Sequence, residues 1–223
     1  PRKKRRKGVA EEIQQENIRR RLFKLAAPIF IETLLIMMLG AVDVIMLSRH
    51  SDNSVAAVGV VNQIIVLTFL IFEVINLGTS VLCSQYLGAK MHKNVVQVVG
   101  VSLLMNLVVG VSVSLFLFGM NETILQWMGL TPELMKDGTD YMRIVGAFAF
   151  FQAISLTLSA SLRSANKAIY PMMVTVVVNI LNIIGNYTLI FGEFGFPEMG
   201  VEGAAISTAF SRGVSMILLF IIL

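Results

Sequence analysis

Six apolar runs, each long enough to cross a bilayer, constrain what this chain can fold into. Lipid offers the backbone no hydrogen-bond partners, so a spanning segment must be a helix or a strand of a closed barrel. No run alternates with a period of two, as barrel strands do, and we therefore predict helices. A membrane helix needs about 17–25 mostly apolar residues. The runs lie at residues 25–47, 55–82, 95–118, 141–162, 169–191 and 201–223.

The composition favours the same class of protein. The chain is 56% hydrophobic and 14% charged, with a mean hydropathy of +0.77, whereas roughly 25% of the residues of a soluble domain are charged. We predict an all-α membrane protein, a bundle of six transmembrane helices. The short connections carry no Ser/His/Asp, zinc-ligand or phosphate-loop arrangement, so we expect no enzyme and no cofactor.

Basic residues predict the orientation in the membrane. Residues 1–24 form a polar arm that holds ten of the 18 Lys and Arg residues, and the connections after the second and fourth helices add four more. By the positive-inside rule the N-terminus is cytoplasmic, in a multi-pass protein of the cell membrane. The arm begins with PRKKRRK, which is typical of nuclear-import or nucleic-acid patches. Before a membrane helix we interpret it instead as a topology signal that touches anionic lipid, and we expect no nucleic acid partner.

Asp43 lies within the first apolar run, where a carboxylate needs a function or a partner. An ionised acid near the middle of a membrane helix costs at least ~2.5–3.5 kcal/mol on insertion scales. Glu32 precedes it by eleven residues, or three helical turns, so both acids lie on one stripe. Pro28 lies one turn before Glu32. It is a helix-interior proline if the basic arm continues the helix, and an ordinary first-turn proline if the helix begins at residue 25.

The fifth run carries a polar stripe. Thr175, Asn179, Asn182 and Asn186 fall at i, i+4, i+7 and i+11, which places them on one helical face among Val and Ile. This pattern indicates a polar lining. Hydrogen bonding between packed helices is the alternative.

The second and sixth runs also place polar residues on single faces. Glu73 and Asn76 share a face of the second helix. Glu73 is either a functional acid or a structural one, paired with a buried Arg or protonated in the core. In the sixth helix Thr208 and Arg212 share a face, and Arg212 is a candidate countercharge near mid-membrane. Our candidates for the substrate cavity or its gate are Pro28, Glu32, Glu73, Asn76, Asn179 and Arg212.

Several short motifs, taken in order, resemble one transporter family. They are AP at 27–28, VDVIM at 42–46, SVAAVG at 54–59, SQYLGA at 84–89, LR at 162–163, PM at 171–172 and MGVEGAAIST at 199–208. No single motif is diagnostic, but their order and spacing resemble the multidrug and toxic compound extrusion (MATE) transporters.

The resemblance implies twelve helices in two six-helix lobes, with a substrate cleft between the lobes and alternating access. The chain begins without Met and ends inside an apolar run, so we expect it to be the N-terminal lobe and the C-terminal lobe to be its partner. MATE proteins are antiporters that export organic, often cationic, amphipathic compounds while H⁺ or Na⁺ moves inward.

The resemblance also implies which residues couple the ion. Asp43 corresponds to the coupling carboxylate of the first helix, and Asn182 and Asn186 to the fifth-helix groups that face it, with Thr208 as a further match. Some members have an acid where Asn186 stands, so Asp43 is expected to be the main titrating group. We favour H⁺ over Na⁺ because Asp43, Asn182 and Asn186 would give Na⁺ few strong oxygen ligands.

Two other functions fit a membrane bundle of this kind. A flippase of lipid-linked precursors shares the two-lobe architecture, but its cavity should be markedly cationic, whereas this chain offers acids together with Arg212. A non-transport membrane module would use its polar residues only to pack helices, and Asp43→Asn would then be functionally silent.

Overall fold

The computed structural model describes residues 2–223, without the side chains of residues 2–18 and 21. The predicted topology signal at residues 1–7 therefore lies outside the described side chains. Within the described part the chain is helical and has no strand. The helices are α1 (Arg2–Leu47), α2 (Asp52–Gly88), α3 (His92–Gly119), α4 (Asn121–Trp127), α5 (Pro132–Ala147), α6 (Ala149–Ser164), α7 (Ile169–Phe191) and α8 (Gly200–Ile222), with a 3-10 turn at Glu193–Gly195.

The all-α fold class is confirmed, with six spans if one bent pair is counted as a span. Five segments are long and apolar enough to cross a membrane, namely α1 from Leu22 onward, α2, α3, α7 and α8. The remaining span, fourth in chain order, is formed by α5 and α6, which are bent by 46° relative to each other. Large apolar side chains stay exposed along these helices, as expected of a surface that meets lipid.

The fourth span differs from the single helix predicted at residues 141–162. It begins earlier, at Pro132, and consists of α5 and α6, which meet at Phe148. In a straight helix the Phe150 N–H would donate to the carbonyl of Gly146. Here it donates to Ser114 Oγ of α3 at 3.1 Å. A hydroxyl on a neighbouring helix thus stabilises a bend that no local pattern in the sequence predicts.

The length of α1 decides whether Pro28 is a helix-interior proline or a first-turn proline. The helix continues from the basic arm through Pro28 to Leu47, so the proline is interior and not part of a first turn. Proline has no backbone N–H, and one α1 hydrogen bond is therefore missing at this point.

Glycines allow the closest helix contacts. A Cβ atom on Gly203 of α8 would lie 2.6 Å from the backbone carbonyl of Leu189 in α7, and one on Gly110 of α3 would lie 3.0 Å from Phe150. By contrast, a Cβ on Gly78 would meet nothing within 4 Å. The close approach at Gly203 brings α7 and α8 together, and α7 also packs on α1.

We predict that Gly203→Ala lowers the thermal unfolding midpoint of the purified protein. The new methyl group meets rigid backbone, and overpacking of this kind costs about 1–3 kcal/mol. Gly78→Ala is the matched control, because it adds the same methyl group to a helix where the space is open. Equal midpoints for the two variants would contradict this prediction and would show that α7 and α8 can move apart to accommodate the methyl group.

Candidate functional site

Asp43 is fully buried, and four helices meet at its carboxylate. Tyr141 of α5 and Thr208 of α8 each donate a hydroxyl hydrogen bond to Asp43 Oδ2, both at 2.6 Å. Asn186 of α7 donates its amide to Asp43 Oδ1 at 2.7 Å. The carboxylate has no exposed surface. This residue of α1 is therefore held by three donors from three other helices.

Asn182 supports two of these donors from one turn away on α7. Its amide donates to Thr208 Oγ1 at 3.0 Å, and its Oδ1 accepts from Asn186 Nδ2 at 3.4 Å. Ser207 Oγ donates to the Asn182 carbonyl at 3.1 Å. The contact is close because Gly185 faces Ser207, and any Cβ at residue 185 would overlap the Ser207 hydroxyl.

The polarity of the site suits an ionised carboxylate. An ionised Asp only accepts hydrogen bonds, and every group that reaches Asp43 donates. The one buried acceptor left without a partner in this group is Asn186 Oδ1. A proton on Asp43 would turn the carboxyl into a donor, so at least one neighbour would have to rotate. The geometry therefore links the charge of Asp43 to the packing of α1 against α5, α7 and α8.

A cavity of about 730 Å³ adjoins this site between α1, α2, α6, α7 and α8. Its walls are mainly apolar. Four of the predicted cavity residues line it: Glu32, Glu73, Asn179 and Arg212. Asp43 does not line the cavity, although its neighbour Val44 does. The predicted ion site and the predicted substrate space are thus adjacent but separate.

Two of the cavity candidates are placed elsewhere. Asn76 does not line the cavity; its Oδ1 accepts hydrogen bonds from Asn106 Nδ2 and Thr157 Oγ1, both at 3.0 Å. This cluster is buried between α2, α3 and α6, where a polar side chain serves helix packing. Pro28 also lies outside the lining residues.

The polar stripe of α7 has two uses. Asn182 and Asn186 belong to the Asp43 site, whereas Asn179 donates to the backbone carbonyl of Leu35 in α1 at 3.0 Å. Asn179 therefore joins two helices, and it also lines the cavity. Both interpretations of the stripe, as a polar lining and as a source of hydrogen bonds between helices, therefore apply to Asn179.

The second acid of α1 has a partner that the sequence did not identify. Glu32 is buried, and its Oε2 accepts from Arg163 Nη1 of α6 at 3.1 Å. In the sequence, Arg163 is part of the basic connection after the fourth helix and of the LR motif at residues 162–163. Arg212, the candidate countercharge, makes no ion pair with Glu73; instead its guanidinium lies 5.2 Å from the centroid of the Phe69 ring. Elsewhere among the described residues, His50 Nδ1 lies 3.3 Å from Glu198 Oε1.

Sequence reasoning missed Tyr141. A Tyr at the edge of an apolar run is typical of the membrane interface, and the apolar pattern predicts that the fourth span begins at residue 141. Because α5 begins at Pro132, Tyr141 lies inside the helix and is fully buried. A polar hydrogen-bond donor on each helix near Asp43 is the sequence signal that could identify such a residue. The fourth span carries several polar donors, so this signal does not single out Tyr141.

Comparison with known proteins gives concordant matches. The MatE family model matches residues 28–188. The uncharacterized transporter YisQ of Bacillus subtilis (strain 168) is 44% identical over 201 residues, which are 90% of this chain and 44% of YisQ. The probable multidrug resistance protein NorM of Thermotoga maritima is 32% identical over 88% of this chain and 42% of its own length. The chain thus spans less than half the length of these relatives.

Solved structures show the same fold. A crystal structure of MATE in the bent conformation superposes with a TM-score of 0.84 at 24% identity, over 90% of this chain and 44% of that one. An outward-facing multidrug resistance MATE transporter of the MOP superfamily gives a TM-score of 0.81 at 24% identity, over 89% of this chain and 43% of that one. These likenesses bear on the fold alone.

We predict that Tyr141→Phe lowers the free energy of unfolding. The change deletes one hydrogen bond to a buried carboxyl group, and the loss of such a bond costs about 1–3 kcal/mol. Tyr187→Phe is the control: Tyr187 is exposed, and its ring contacts with Phe191 and Phe194 survive the loss of the hydroxyl. Denaturant titration in detergent micelles measures both. Equal losses would contradict the role of Tyr141 at Asp43.

Proposed function

Because this chain belongs to the MatE family, we propose that it forms the N-terminal lobe of a transporter that exports organic, often cationic, amphipathic compounds. MatE proteins are membrane transporters and not enzymes. Support comes from relatives named as a transporter and as a multidrug resistance protein, and from the mainly apolar cavity beside a buried acid.

The proposed transporter has a second, C-terminal lobe as the partner of this one. The match to 44% of YisQ and 42% of NorM supports this arrangement. The substrate space lies between the lobes and opens alternately to either side. The basic arm at residues 1–24 supports a cytoplasmic N-terminus for the proposed transporter, by the positive-inside rule.

Asp43 is the proposed coupling group, and the observation that carries this role is the convergence of three hydrogen-bond donors on its carboxylate. Ionised Asp43 favours the packing in which Tyr141, Asn186 and Thr208 all donate to it. Protonated Asp43 favours a different packing. An ion that binds one of two conformations better shifts the balance between them, and a substrate that prefers one conformation is coupled to the ion.

The proposed coupling ion is H⁺. Sodium needs several oxygen ligands, and in this packing Asp43 Oδ2 already accepts two hydrogen bonds, while Asp43 Oδ1 and Asn182 Oδ1 accept one each. Among the described residues, Asn186 Oδ1 is the acceptor of this group that has no hydrogen-bond partner. A proton needs just one carboxylate oxygen and a rotated neighbour. Na⁺ at Asp43, Asn182 and Asn186 is the alternative, and it requires more rearrangement.

The Glu32–Arg163 pair is the proposed gate of the cavity. It joins α1 to α6 and lines the cavity, and Pro28 lies one turn away at the missing α1 hydrogen bond. Breaking a buried pair by moving one partner is costly. An α1 movement at Pro28 would therefore have to be driven by substrate or ion binding.

The charges of the cavity favour export of amphipathic compounds over flipping of lipid-linked precursors. Its charged lining residues are two acids, Glu32 and Glu73, and two bases, Arg163 and Arg212. A pyrophosphate carrier would need an excess of bases. Glu73 and Asn179 are the proposed contacts for cationic cargo.

We predict that Asp43→Asn reduces substrate export driven by an imposed pH gradient by roughly tenfold or more, as loss of the coupling would require. The measurement is efflux of tetramethylrhodamine methyl ester from vesicles containing the full-length product of the gene that encodes this chain. Asp52→Asn, which neutralises an exposed acid at the start of α2, serves as control.

The same vesicles separate the two ions. Export that follows a Na⁺ gradient at constant pH would replace H⁺ by Na⁺ in the proposal. Export that remains coupled to the pH gradient in Asp43→Asn would remove Asp43 from the coupling role.

A further inference from the structure

The bend in the fourth span lies between two hydrogen bonds that join this span to α1. Tyr141 of α5 donates to Asp43 at 2.6 Å, and Arg163 of α6 donates to Glu32 at 3.1 Å. Tyr141 precedes Phe148 by a helical rise of about 10 Å, and Arg163 follows it by a rise of about 22 Å. The backbone of α1 packs mainly on α7 and α2. The ion site and the proposed gate are thus each held by one arm of a single bent span.

The vertex of this bend is seated on α3. A Cβ atom on Gly110 would lie 3.0 Å from Phe150 Cα, and one on Gly146 would lie 2.9 Å from Leu117 Cβ. Gly110, Ser114 and Leu117 share one face of α3. This face therefore contacts α6 just after the bend and α5 just before it. Since the vertex is fixed in position, a change in the angle displaces the far ends of the two arms most.

A hydrogen bond to Ser114 holds the angle of the bend. The Phe150 N–H donates to Ser114 Oγ at 3.1 Å, whereas a straight helix would direct it to the Gly146 carbonyl. An interior proline is the usual cause of a sharp kink, and residues 133–164 contain none. Straightening would exchange one neutral hydrogen bond for another, so the two angles differ little in hydrogen-bond energy. An element with two such arrangements is easily biased by its ends.

The longer arm amplifies a small change of angle. A rotation of about 5° about the vertex moves a point 22 Å away by about 2 Å. The Nη1–Oε2 distance between Arg163 and Glu32 is 3.1 Å, and a hydrogen bond is lost well before that distance grows by about 2 Å. A proton on Asp43 requires one of its donors to rotate, and Tyr141 is the donor on the shorter arm. A slight turn of α5 is therefore enough to break the pair at the end of α6.

We propose that the bend at Phe148 is a hinge that transmits the charge state of Asp43 to the Glu32–Arg163 gate, with Ser114 as the positioning residue that sets its angle. The inference deepens the function proposed above and rests on the coupling role of Asp43. Ser114 lies outside the cavity lining and is not one of the three donors at Asp43. Its effect on the gate is exerted through the angle of the span.

The test measures the separation of α1 and α6 near the gate. Spin labels are attached at Lys24→Cys and Lys167→Cys, two exposed positions, in the full-length product with its other cysteines, including Cys83, replaced. Double electron–electron resonance in lipid nanodiscs gives the distance between the labels. Asp43→Asn supplies a neutral side chain at the ion site, and with Ser114 present it is expected to shift the mean distance by about 2 Å or more.

Ser114→Ala is expected to abolish this shift. Without the hydroxyl, the remaining backbone acceptor for the Phe150 N–H is the Gly146 carbonyl, so the span keeps one angle in both states of the ion site. Ser112→Ala is the matched control on the same helix. Ser112 is exposed, and its hydroxyl donates to the Val108 carbonyl of its own helix at 2.8 Å. The control is expected to retain the full shift.

Two results overturn the proposal: a shift in Ser114→Ala as large as that in Ser112→Ala, or no shift when both serines are present. If Ser114→Ala does not fold, Gly110→Ala decides. Its methyl group presses on the Phe150 backbone and is expected to reduce the shift. Gly100→Ala is its control on α3, because a Cβ there meets nothing within 4 Å. Equal shifts in these two glycine variants overturn the proposal as well.

Export of tetramethylrhodamine methyl ester separates this inference from the transport function. Export that depends on Asp43, in a protein whose label distance does not change, contradicts the hinge alone. A distance shift that Ser114→Ala abolishes, in a protein that exports no dye, supports the hinge and contradicts the transport function alone.

Discussion

A carboxylate buried inside a membrane bundle must be surrounded by hydrogen-bond donors, and this requirement organises the lobe. Asp43 receives its donors from α5, α7 and α8, so four helices are tied to one charge. The close approach of α8 to α7 at Gly203, and of Ser207 to Gly185, puts Thr208 and Asn186 within reach of that charge. A proton on Asp43 would therefore change hydrogen bonds that join these four helices.

The other buried charges of the lobe are arranged by a different rule. Glu32 and Arg163 satisfy each other across α1 and α6, whereas the guanidinium of Arg212 lies over the ring of Phe69 and forms no ion pair among the described residues. Since the cavity and Asp43 share α1 and α8, occupation of the cavity and protonation of Asp43 can influence the same helix contacts.

The helices and the central acid follow from sequence alone, because the length of an apolar run and the cost of a charge in lipid are local properties. The partners of that acid do not. The resemblance to MATE transporters pointed to Asn186 and Thr208, but Tyr141 lies in a span whose start the hydropathy pattern placed too late. The bend at Phe148 depends on Ser114 of another helix. Asn76 does not line the cavity, because its face of α2 packs on α3 and α6. Each of these outcomes is set by contacts between segments distant in sequence.

In the proposed mechanism, substrate binding changes the charge of Asp43. The most direct measurement is proton exchange when tetramethylrhodamine methyl ester binds to the full-length protein in weakly buffered detergent solution, followed across the pH range in which the protein is stable. We predict proton release on binding in the wild type, approaching about one proton per dye bound, and none in Asp43→Asn. Release of the same size in Asp43→Asn would contradict it.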